Sequence, residues 1–137
     1  MKRLLHRYFS FDGRLARLPF FLRGVYLGLG AAVLGIGSVP LFSTDTRLGY
    51  WAGVLVVIVA FGLLAVGMAS LTVRRLHDLG LSGYHAIWVV AAQGGWAVLS
   101  YAPPEVLLFG LPLAAVGLWL TFWPGSRKAN HFGDVPE

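Results

Sequence analysis

Four apolar runs, at about residues 19–39, 50–73, 84–101 and 105–123, leave this chain few ways to fold. Each holds roughly 18–24 residues, enough to cross ~30 Å of hydrocarbon at ~1.5 Å per helical residue. The expected fold is an all-α membrane protein: a single domain, residues 1–137, of four transmembrane helices behind an N-terminal interfacial amphipathic helix. Only 12% of the residues are charged and 57% are hydrophobic. Soluble domains carry roughly a quarter charged residues, so this chain cannot cover a water-facing surface. It has no cysteine, which removes disulfides, thiolate catalysis and cysteine metal sites.

Residues 1–11 read as the interfacial helix. Leu4, Leu5, Tyr8 and Phe9 form one face at i, i+1, i+4 and i+5, while Lys2, Arg3, His6 and Arg7 crowd the other. A signal peptide is not expected, because basic residues continue to Arg17 and no small-x-small cleavage pattern follows the apolar stretch. Asp12-Gly13 is turn chemistry, and Pro19 suits the first turn of the next helix. Gly24-x-x-x-Gly28 and Ala31-x-x-x-Gly35 on span one, and Ala65-x-x-x-Ala69 on span two, are the expected packing seams. Residues 40–49 form a polar loop, and Tyr50 and Trp51 anchor the outer end of span two. Span two is expected to continue through Arg74 to Leu79, with Gly80 in the left-handed position that ends a helix and Ser82 capping the next. Pro103-Pro104 makes spans three and four a hairpin, and Pro112 is expected to kink span four. Gln93, deep in span three, is expected to bond across a helix interface.

Charge sets the topology. Lys2, Arg3, Arg7, Arg14, Arg17, Arg23, Arg74, Arg75, Arg127 and Lys128 fall on one side of the alternating spans, and Arg47 alone on the other. By the positive-inside rule the first side is cytoplasmic. It carries both termini, with an interfacial segment over residues 1–18 and a tail over residues 124–137. The net charge of +5 therefore points to anionic lipid and not to nucleic acid.

The densest polar stretch, Arg74-Arg75-Leu76-His77-Asp78, lies on that side. On a helix Asp78 can pair with Arg74 at i−4 or Arg75 at i−3, while His77 points about 100° away from it. The topology brings Asp12, Arg14, Arg17 and the tail around Asn130 to the same face. Two readings follow. In one, Asp12, His77, Asp78 and Asn130 belong to a structural clasp that locks the bundle end. In the other, Arg14, Arg17, Arg74 and Arg75 exceed what Asp12 and Asp78 neutralise. They then bind an anionic headgroup, because guanidinium forks match phosphate. His6, His77, His85 and His131 show no H-x-x-x-H pair, so no metal and no cofactor is expected. The only candidate dyad, His77 with Asp12 or Asp78, comes with no nucleophile motif, so no catalytic residue is assigned and an enzyme is not favoured.

Three motifs in order, Phe9-Ser10-Phe11-Asp12-Gly13-Arg14-Leu15-Ala16-Arg17, then Arg74 through Tyr84, then Pro124-Gly125-Ser126-Arg127-Lys128-Ala129-Asn130-His131-Phe132-Gly133, resemble the bacterial inner-membrane family called domain of unknown function 805. The resemblance spans about residues 8–136. That family more often has Trp where this chain has Tyr84, and Gly and Pro where it has Arg127-Lys128-Ala129, so this tail is more basic. The resemblance implies a multi-pass protein of the bacterial inner membrane with its motifs in the cytoplasm, and carries over no catalytic residue. The expected role is binding of anionic lipid headgroups or of a protein partner, either a second copy or another membrane protein. A small transporter or transport accessory subunit is the alternative.

Overall fold

The computed structural model describes residue 6, residues 8–99 and residues 104–136, with only the backbone of 93–99, 104–110 and 113. The expected amphipathic helix lies mostly outside the described residues, as do the side chain of Gln93 and the junction at Pro103. The remainder is all-helical: α1 (Arg17–Phe42), α2 (Arg47–Asp78), a 3-10 turn (Gly83–His85), α3 (Ala86–Leu99) and α4 (Pro104–Phe122). Two of these, α1 and α2, are long and apolar enough to cross a membrane.

Each helix packs on the next, and α4 returns to touch α1. Short connections make neighbours antiparallel. The start of α1, the end of α2, the start of α3 and the end of α4 therefore share one end of the bundle. The described core sits there, with Leu15, Phe20, Leu71, Leu76, Ala86, Val89 and Leu120 in one cluster. Along α1, by contrast, Val33 and Ile36 are 68% and 72% exposed. Side chains of that kind cannot cover a helix in water and are compatible with lipid as the solvent.

Pro19 stands in the first turn of α1, where its missing N–H has no intrahelical role. The helix does not stop before Pro40 but runs on to Phe42. So near the end, proline removes one hydrogen bond, and packing holds the last turn. A Cβ on Gly53 would lie 3.0 Å from the Phe42 ring and 3.2 Å from Leu41. Thr46 caps α2, its hydroxyl accepting from the Gly49 amide at 3.2 Å. Tyr50 meets Phe42 and Trp51 edge to face, each at 5.7 Å.

The packing seam keeps the expected face of α1, where Gly24, Gly28, Ala31 and Gly35 are half-buried beside exposed neighbours, but not the expected face of α2, where Ala65 is exposed. Contact with α1 falls instead on Gly53, Ala60 and Gly67, buried at intervals of seven along α2. That interval keeps one stripe of a helix facing its neighbour. Leu27 fills the notch over Gly67, where a Cβ would come within 2.7 Å of its methyl, and Met68 lies against Gly24. Gly67→Leu should therefore overpack the seam and lower the apparent melting temperature in detergent, at a cost of roughly 1–3 kcal/mol. Gly62→Leu, on an exposed position with open space around it, should not.

Candidate functional site: a buried Arg–Asp–Arg cluster

An acidic residue at a helix C-terminus opposes the helix dipole. Asp78 ends α2 and is 2% exposed, yet two guanidinium groups meet it. Arg75, one turn earlier and fully buried, donates from Nη1 to Oδ2 at 2.5 Å. Arg14, from the segment entering α1, donates from Nη2 and Nε to Oδ1 at 2.9 and 3.2 Å. The sequence left Arg74 and Arg75 as equal partners for Asp78; the structure takes Arg75.

Backbone carbonyls complete both guanidinium groups. Arg14 Nη1 donates to the carbonyls of Lys128 at 2.8 Å and Gly133 at 3.2 Å, and Nη2 to that of Ser126 at 2.6 Å. With the two bonds to Asp78, all five N–H groups of Arg14 have acceptors. Arg75 Nε donates to the Leu120 carbonyl at 2.8 Å, and Nη2 to that of Trp123. These carbonyls lie at the end of α4, where a helix leaves acceptors unfilled and favours a cation.

The final carbonyls of α2 are filled as well. Arg75 and Leu76 accept from the Leu79 amide, Leu76 also from Leu81, and His77 from Gly80. Asp78 accepts from the Ser126 amide at 2.8 Å, and Arg74 from the Leu15 amide at 3.0 Å. Gly80 takes φ +78° to make the turn, and the Ser82 hydroxyl accepts from the Tyr84 amide. Asn130 Nδ2 donates to the His77 carbonyl at 2.9 Å, while its Oδ1 accepts from the Phe132 amide at 2.9 Å. The Phe132 ring stacks on His77 at 4.0 Å. His77 Nδ1 lies 3.1 Å from the Gly13 carbonyl, so Nδ1 carries the proton, since a carbonyl only accepts. The Ser70 hydroxyl donates to the Ser10 carbonyl. The tail is thus docked across the ends of α2 and α4.

Of the four arginines expected to face an anion, Arg14 and Arg75 turn inward, where Asp78 and carbonyls occupy them. Arg17 stays exposed, and Arg74 is partly buried and feels the charge of Asp12. Asp12 is exposed and outside the central pair. His77 and Asn130 hold the tail, not the charge. Two participants escaped the sequence reading. One is the set of carbonyl acceptors, which only the helix end at Trp123 hinted at. The other is Gly125: a Cβ there would overlap the Asp78 carboxylate. Among the described residues no three His, Cys, Asp or Glu converge as metal ligands.

A family model described as a protein of unknown function (DUF805) matches residues 8–134. The chain belongs to this family. The DUF805 match runs from the segment before Arg14 through the tail residues that close on it, so the whole cluster falls inside the matched region. No curated protein and no solved structure matches the chain.

Asp78→Asn keeps the size and removes the charge between two buried cations. The loss should be about 3–5 kcal/mol, as for a buried pair left with one partner. Thermal unfolding in detergent measures it. Limited trypsin digestion should then cut after Arg127 and Lys128 faster than in wild type, because Arg14, which Asp78 orients, is one of the groups that hold the tail.

Proposed function

We propose that this DUF805 protein is a four-span, non-enzymatic protein of the bacterial inner membrane, with both termini in the cytoplasm, and that it holds anionic lipid headgroups at its cytoplasmic end. One observation carries this reading: the bundle end that bears the basic residues is built around a fixed, buried net charge. Arg14 and Arg75 against Asp78 leave +1 in the interior, and the exposed Arg17, Arg127 and Lys128 surround it. A rigid cationic end facing headgroups attracts anionic lipid, by ~1 kcal/mol for each Lys or Arg near the surface. The four-span count is supported by the ring of helices. Over the described residues α3 and α4, with 14 and 19 residues, extend about 21 and 28 Å at ~1.5 Å per residue, short of the ~30 Å of a hydrocarbon core. Transport has less support, because the described grooves beside α1 are lined almost entirely by apolar side chains.

Reporter fusions after residue 137 should read as cytoplasmic, and fusions within residues 43–46 as periplasmic; the opposite result reverses the proposed orientation. Native mass spectrometry of the protein in mild detergent should show retained phosphatidylglycerol in preference to phosphatidylcholine. Equal retention of the two would remove the headgroup reading.

A further inference from the structure

Arg17 and Arg127, both exposed, line one cavity of about 360 Å³ at the cytoplasmic end. Its floor includes Asp78, Gly125 and Ser126. Asp78 does not make that floor repel an anion, because it lies between Arg14 and Arg75 and the three carry +1 together. Arg17 also lines a second cavity, of about 250 Å³, with Leu18 and Phe122. Phe21 and Thr121 line this one and also a third, of about 330 Å³, walled by Gly24, Met68 and Gly117. Shared lining residues place the three side by side, and we read them as one groove along α1 and α4. From Arg17 to Gly24 it descends about 10 Å along the helix, at ~1.5 Å per residue.

The groove changes character along its length as an amphiphile does. The mouth offers two guanidinium groups, which match phosphate oxygens in charge and hydrogen-bond geometry. The deeper part is apolar and open to the side. Inorganic phosphate would use only the mouth and leave the apolar part empty. We propose that this groove holds one anionic phospholipid, its phosphate between Arg17 and Arg127 and one acyl chain along α1 and α4 as far as Gly117. The proposal rests on the anionic-lipid reading above and gives it a site, one that moves away from Arg14 and Arg75.

A Cβ at Gly117 would meet nothing within 4 Å, so a side chain placed there starts into the open groove. The test is titration of the full-length protein in detergent with phosphatidylglycerol, phosphatidylcholine or inorganic phosphate, followed by native mass spectrometry. Arg17→Gln and Arg127→Gln should each weaken phosphatidylglycerol about tenfold, the loss of one charge-assisted contact, and affect phosphatidylcholine less, because its choline offsets the phosphate charge. Gly117→Leu should weaken phosphatidylglycerol by about as much with both arginines in place, and millimolar phosphate should not displace the lipid. Melting temperatures of all three variants should stay at the wild-type value, which separates this site from the buried cluster. If wild type prefers phosphatidylglycerol and the variants bind it equally well, the groove is wrong and the anionic-lipid reading stands. If only the arginine variants lose binding, or phosphate displaces the lipid, the acyl-chain half is wrong and the proposal falls. If wild type shows no preference between the lipids, both readings fall.

Discussion

Moving a guanidinium group out of water is costly, and one carboxylate does not offset two of them. The Arg14–Asp78–Arg75 cluster is tenable because of hydrogen-bond valency more than charge. Arg14 spends its five donors on one carboxylate oxygen and three tail carbonyls. Arg75 spends donors on the other oxygen and on the two carbonyls that end α4. The Leu120 and Trp123 carbonyls belong to a helix end that supplies no donor of its own, while the Lys128 and Gly133 carbonyls also accept from Ser126 Oγ and the Asn130 amide. The arrangement is therefore reciprocal: the cations need acceptors, and the helix end needs donors. A shift of α2 by one residue would turn Asp78 through ~100° and unmake both halves together. This sensitivity to register, more than net stability, is what a buried ion pair contributes.

In lipid, the solvent proposed above, a need for such a device arises. Between helices in lipid, burying apolar surface brings little gain, since the tails outside are as apolar as the side chains inside. Along the length of the bundle, specificity must come from close shape, and Gly53, Ala60 and Gly67 supply it by letting α1 approach. That contact sets a distance and a face. It is less able to fix where along its axis each helix sits. The polar end does so, because charged groups have few acceptable partners and α1, α2, α4 and the tail all contribute to one site. The concentration of buried residues at that end is the packing counterpart of the same constraint.

Apolar run length was enough to read an all-helical chain in the sequence, and Gly80 and Ser82 were enough to read how α2 ends. That the motif before α1 and the motif after α2 face each other followed from alternating topology alone. The choice of Arg75 over Arg74 did not. Both spacings allow a pair with Asp78, and the decision lies in which side of α2 faces α4. The carbonyl acceptors were hidden for a deeper reason, because every residue has one and only the path of the chain selects Ser126, Lys128 and Gly133. The seam was misplaced because the small-x-x-x-small pattern marks smooth patches without saying which is used. On α2, Ala65 belongs to such a patch and is exposed, while the stripe in use repeats every seven residues. The turn through Pro40 was missed because proline's local cost is small near a helix end and a tertiary contact outweighs it.

The kinds of cation the chain carries fit this division of labour. Nine of its eleven basic residues are arginine, and the two lysines are Lys2 and Lys128. Lys128 contributes its backbone carbonyl to the cluster, a role any residue can fill, while its side chain is exposed. At positions 14 and 75 the side chain must reach acceptors on separate elements from one planar group, which an ammonium with three donors at a single point cannot do. Arginine at these two positions is thus demanded by geometry. The count of cations at this end of the bundle overstates what is available to a ligand, because two of the four expected to face one, Arg14 and Arg75, are consumed by the fold. Any anion that binds there meets the arginines left outside, and does so over a floor whose charge the fold has already made positive.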